Sequence, residues 1–99
     1  MDVQERLLIN RLIIGVSNNK ENDLEYLFNI TKNQLYALAK EYVDDSIIIN
    51  EILSQGYLEI YRKSRSFDPH ENDGFDWMCE IVKELSLKFQ KKCLKKHAI

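Results

Sequence analysis

The chain has 99 residues, a formal net charge of −2, 30% charged residues and 44% hydrophobic ones. This describes one globular domain with enough apolar mass for a core of its own, without a structural metal or disulfides. No stretch approaches the ~18 consecutive apolar residues of a membrane span, and only Gly15, Gly56, Gly74 and Pro69 supply turn chemistry, too few for an all-β fold.

The apolar spacing is helical nearly throughout and predicts an all-α fold, a compact bundle of about four helices in one domain spanning 1–99. The first helix, about 2–16, carries Val3, Leu7, Leu8, Leu12, Ile13 and Val16 on its apolar side, and Gly15 with Ser17-Asn18-Asn19 ends it. The second, about 22–43, is expected to be capped by Asn22 or Asp23 and shows Leu24, Leu27, Phe28, Thr31, Leu35, Leu38, Ala39 and Tyr42. Asp44-Asp45-Ser46 breaks the chain and caps the third, about 46–63, with Ile48, Ile49, Ile52, Leu53, Tyr57, Ile60 and Tyr61. Tyr57 and Tyr61 read as core-edge residues with wet hydroxyls. Gly56 inside this helix suits the close approach of a neighbour.

A loop over 64–73 follows, in which Pro69 forbids helix and Asp73 is placed to cap the last one. That helix, about 74–95, carries Trp77, Met78, Ile81, Val82, Leu85 and Phe89 on one stripe. Cys79 and Cys93 both fall within this helix. Their fourteen-residue separation is ~21 Å of helix, too far for a disulfide.

Charge is unevenly spread. Residues 21–61 are net −6, whereas residues 77–99 are net +4. An acidic middle and a basic end equip the molecule to meet a basic protein with one face and a polyanion with the other. No phosphate-binding glycine loop, metalloprotease helix motif or nucleophile elbow is present. Asp44-Asp45 is explained by helix capping, and His70 and His97 have no visible partners. The chain therefore reads as a binding protein, not an enzyme, with no cofactor, no metal site and no membrane partner. The start Met1-Asp2-Val3-Gln4-Glu5 lacks the basic, then apolar, order of a signal peptide, so the expected location is cytoplasmic.

One combination is more specific. Phe67-Asp68-Pro69 precedes Trp77-Met78 and a helix that turns basic. Taken with Leu35-Tyr36-Ala37-Leu38-Ala39, Ile52-Leu53, Tyr57-Leu58 and Ile60-Tyr61, this order resembles region 2 of the sigma-70 family, in its extracytoplasmic-function type. The resemblance runs ungapped from about residue 12 to residue 92. "LY-x-LA", "DLVQEVFLRLW", "FDP" and "WL-x-x-IA" are the family patterns it follows.

The resemblance implies a transcription initiation factor or co-sigma subunit. Its partners would be the β′ coiled coil of core RNA polymerase and the non-template strand of the promoter −10 element. A separate region 4 protein or an anti-sigma factor would be further partners. Carried onto this sequence, the polymerase-contact positions are Glu51, Ser54, Gln55, Leu58 and Glu59. The DNA-contact positions are Arg62, Lys63, Arg65, Phe67, Phe75, Lys83, Lys88, Lys91 and Lys92. Phe67 or Phe75 would stack an unpaired base while lysines meet phosphates.

Departures define the alternative. Where the family's third helix carries several carboxylates, Ile48-Ile49-Asn50-Glu51 keeps one, and Gly74 replaces an aromatic three residues before the tryptophan. The 99 residues end at His97-Ala98-Ile99, where a linker to the family's region 4 helix-turn-helix would begin. The chain is then a region 2 pairing with a separate region 4 protein, a fragment of a longer factor, or a relative that kept the fold for another use. The last would be a protein-interaction module without DNA activity, for example one sequestering a sigma partner or polymerase.

Overall fold

Three of the four helices start on an aspartate. In the computed structural model, which describes residues 1–97 with side chains described through residue 93, the elements are α1 (Val3–Ser17), α2 (Glu21–Lys40), α3 (Ser46–Lys63), a 3-10 turn (Ser64–Ser66) and α4 (Gly74–His97). Asp2 accepts the Glu5 N–H at 2.8 Å, Asp45 the Ile47 N–H at 2.8 Å, and Asp73 the Asp76 N–H at 3.0 Å. Each bond satisfies a donor that the first helical turn leaves without an intrahelical partner.

The start of α2 differs from expectation. Neither Asn22 nor Asp23 caps it, because both already lie inside its first turn and Lys20 is the cap residue, with no side-chain bond. The cause is the way α1 ends. Asn19 turns left-handed (φ 63°), the Lys20 N–H reaches the Gly15 carbonyl at 3.1 Å, and the Asn19 N–H reaches that of Val16 at 3.0 Å. This paired closure is a Schellman motif, and it brings α2 in after only three residues. Asparagine tolerates the left-handed region better than most side chains. Glu21 and Asp23 then place negative charge at the positive end of the α2 dipole. At its other end α2 stops at Lys40, short of the expected 43, where Tyr42 and Val43 N–H groups both turn back onto the Ala39 carbonyl.

The helices pack as an all-α bundle with neighbouring contacts α1–α2, α2–α3 and α3–α4, closed by α1 and α2 against α4. Ile9, Ile13, Leu27, Leu35, Ile49, Ile52, Ile60, Met78 and Val82 fill the centre with essentially no exposure. A Cβ on Gly56 would sit 3.3 Å from Val82 and 3.8 Å from Leu85, so the missing side chain sets how closely α3 and α4 meet. Leu12, Ile13 and Val16 are buried as expected, but Ile9 joins them at the centre, while Val3 (72%) and Leu7 (58%) are exposed. Cys79 and Cys93 are free thiols on α4, as their spacing requires. No helix among the described residues is long and apolar enough to cross a membrane.

A buried polar bridge crosses the core between α2 and α3. Thr31 is fully buried, and its hydroxyl gives its single proton to the Leu27 carbonyl at 2.6 Å. The Tyr57 hydroxyl, also 2.6 Å away, therefore donates to Thr31. The Tyr57 hydroxyl is thus not wet, as the sequence suggested, but ties α3 to α2. Phe28 packs edge-on against the same ring at 4.8 Å between centroids.

Thr31→Val leaves a buried phenol without an acceptor and should cost about 1–3 kcal/mol in urea unfolding. Tyr57→Phe should cost less, and the double variant less than the sum of the two, because they share one bond. Burial pushes the Tyr57 hydroxyl up to about 12 from its ordinary value. A proton held more tightly in the folded chain stabilises it fully below pH ~10, and that contribution is lost as pH rises through about 12. Tyr57→Phe should therefore lose less stability than the native chain over that alkaline range, measured by unfolding at fixed pH steps.

Candidate nucleic-acid and protein interface

The α3 surface carries the first cluster. Glu51, Ser54, Gln55, Leu58 and Arg62 are all exposed, at spacings of three and four, and so form one solvent-facing stripe. Leu58 is 53% exposed, a large apolar side chain in the middle of polar neighbours. Gln55 donates to Glu51 at 3.4 Å, which holds the upper part of the stripe together.

Glu59 lies beside the stripe and is half-buried. Arg62 donates to it at 2.9 Å, and the Lys63 ammonium stands 3.6 Å from its other oxygen. Exposed pairs of this kind contribute about 0–1 kcal/mol, so both cations exchange partners at little cost. A residue expected on the protein face thus sits in one ion-paired group with two expected on the DNA face. Across a groove of about 370 Å³ they meet α4, where Ile81 and Leu85 form an apolar floor and Glu84 and Lys88 a charged rim.

The loop and the start of α4 form a second cluster, built for stability. Asp73 accepts from Arg6 at 2.6 Å, and Asp76 accepts from the same guanidinium at 3.3 Å. The Asp76 hydrogen bond first, then the Asp73 charge, raise the Arg6 pKa. That guanidinium lies 5.8 Å from the Phe75 ring centre, which leaves Phe75 half-buried beneath a cation. Asn10 accepts the Gly74 N–H at 2.7 Å.

Phe67 departs from expectation. Its ring is only 8% exposed and packs against Trp77 at 5.1 Å between centroids. In this conformation it offers no face to a base; it anchors the loop after α3 to α4. Burial, then the Asp76 carboxylate, push the Cys79 thiol nearby up to about 11, so it stays protonated and weakly nucleophilic at neutral pH.

Lys88, Lys91 and Lys92, three and four residues apart, are exposed on one side of α4, while Lys83 is exposed elsewhere around it. Lys83 and Lys88 point roughly 140° apart around the helix, and only Lys88 joins the α3–α4 groove. Lys91 stands free of the groove, and the Lys92 ammonium lies 5.2 Å over the Phe89 ring. The side chains of Lys95, Lys96 and His97 lie outside the described residues.

Sequence reasoning missed one grouping at the end of the bundle where the α1–α2 turn meets the 3-10 turn. Tyr61 is 47% exposed there, not a core-edge residue. It borders a hollow of about 380 Å³ with Asn19 and Lys20, and a second of about 200 Å³ with Arg62 and Arg65. Residues 19, 20 and 61 are distant in sequence, and only the Schellman closure of α1 brings them together.

Among the described residues no group of three or more His, Cys, Asp or Glu side chains is gathered to hold a metal ion. Comparison with protein-family models, curated proteins and solved structures finds no match in any of the three.

Phe67→Ala should lower stability by about 3 kcal/mol, the cost of removing a buried aromatic, in urea unfolding. A variant as stable as the native chain would mean that the ring contributes nothing to the core.

Proposed function

We propose that this chain is a sigma-70 region 2-like binding domain, working in transcription initiation through the β′ coiled coil of RNA polymerase and through single-stranded promoter DNA. It acts by binding, without covalent catalysis. The observation that carries this reading is the α3 stripe. Glu51, Ser54, Gln55 and Leu58, the positions that the family resemblance assigns to polymerase, are exposed together on one helix face, and that face runs into Arg62. An exposed leucine ringed by polar groups has the make-up of an interface centre with a polar rim. The groove beside it offers mixed charge to a helical partner.

A second reading has its own support. Phe67 is packed on Trp77, and Glu59 neutralises two of the cations that would meet phosphate. Both features favour a protein-interaction module that keeps the polymerase or sigma-partner contact and has lost DNA activity. The two readings share the α3 surface and differ in whether single strands bind.

The deciding experiment is capture of purified core RNA polymerase by the tagged chain, with the isolated β′ coiled coil as competitor. Retention that the coiled coil displaces is expected. Glu51→Lys should weaken it about tenfold, the scale of one reversed charge at an interface. No retention would remove the polymerase reading, and an unchanged affinity in Glu51→Lys would remove that residue from the contact.

A further inference from the structure

With Phe67 buried and Phe75 half-buried under Arg6, the aromatic ring open to solvent beside the cations at the end of α3 and in the turn after it is Tyr61. Its side chain is a wall shared by two hollows, which also share Val16 and Asn19. Lys20 lines one hollow, and Arg62 and Arg65 line the other. Among the described residues neither Lys20 nor Arg65 forms an ion pair, and Arg62 is held only by Glu59. Glu21 is the one carboxylate on either lining.

The scaffold under this patch is firm. Asn18, Asn19 and Lys20 are fixed by backbone bonds to the end of α1. Ser64 is buried and donates to the Tyr61 carbonyl at 2.8 Å, which carries the chain directly from Tyr61 into the turn that presents Arg65.

We infer that this end of the bundle is a single-stranded DNA site in which Tyr61 stacks an unpaired base and Lys20, Arg62 and Arg65 take the flanking phosphates. A half-exposed ring with a hollow beside it accepts the flat face of a base, and any base has such a face. A duplex keeps those faces in its own stack, so the ring selects an opened strand. An acidic peptide would satisfy the cations but leave the ring and hollows unused. The inference rests on the single-strand half of the reading above and is independent of its polymerase half. It moves base stacking from Phe67 to the residue that ends the α3 surface, so that one helix would carry both contacts.

The test is fluorescence anisotropy of a short labelled single strand of mixed sequence, titrated with the native chain and variants at several salt concentrations. Tyr61→Ala should weaken binding about tenfold and Tyr61→Phe by less than about twofold, since stacking needs the ring and not the hydroxyl. Lys20→Gln and Arg65→Gln should each make the log–log salt dependence shallower by about 0.7, one phosphate's worth on a single strand. Unchanged thermal midpoints in these surface variants tie any loss to the site.

Native binding that is indifferent to Tyr61→Ala would overturn this site and leave the wider reading standing. No single-strand binding by a chain that still captures polymerase would overturn the site and the DNA half together. Equal binding of a duplex, or equal competition by polyglutamate, would show plain charge attraction and overturn the assignment.

Discussion

Asp73 uses one carboxylate oxygen for two tasks, and the orientation of α4 depends on it. The oxygen caps α4 by accepting the Asp76 N–H and receives the Arg6 guanidinium from α1. One residue on, the Gly74 N–H is held by Asn10, also from α1. A Cβ at Gly74 would lie 2.5 Å from the Asn10 oxygen and 2.8 Å from Ile13, so a larger residue would push the two helices apart. The start of α4 is thus docked on α1 by a cap, an ion pair and a side-chain acceptor together. Helix termini leave backbone donors that must be satisfied somewhere. Here one of them, the Gly74 N–H, is satisfied by another helix, which turns a local requirement into a tertiary constraint.

That docking determines the surfaces available for function. It seats Met78 and Val82 in the core and lays Ile81, Leu85 and Lys88 alongside α3, which creates the α3–α4 groove. It also draws the loop after α3 under Trp77, where Phe67 closes the apolar end of the bundle. The loop's aromatic is therefore committed to stability. At a site proposed to stack bases, that commitment matters, because a ring cannot serve the core and a ligand in the same rotamer. Tyr61, one turn before the loop, faces outward and is free of that conflict.

Electrostatics follow the same division. The acidic residues of α2 and α3 are mostly solvated. Asp23, packed against Gly15, and Glu59 are half-buried, and Glu59 sits between the protein-facing and phosphate-facing groups and touches two cations. Pairs this exposed are weak and screened by salt. They hold Arg62 and Lys63 near the groove without fixing them, and a phosphate or a partner carboxylate can take either one.

The sequence by itself determined four helices, their limits to within a few residues, and the caps at Asp45 and Asp73, because apolar period and capping chemistry are local. It also marked Gly56 as a point of close approach and ruled out a disulfide from spacing alone. It did not show that Ile9, in place of Val3 and Leu7, joins Leu12, Ile13 and Val16 on the covered side of α1, since all of them fit the helical rhythm. Nor could it reveal that Tyr57 meets Thr31, twenty-six positions away, or that Tyr61 stands beside Lys20 and Arg65. A single helix leaves aromatic residues on either side of its apolar stripe. The neighbour that packs against it then decides that Tyr57 is covered while Tyr61 is left facing water.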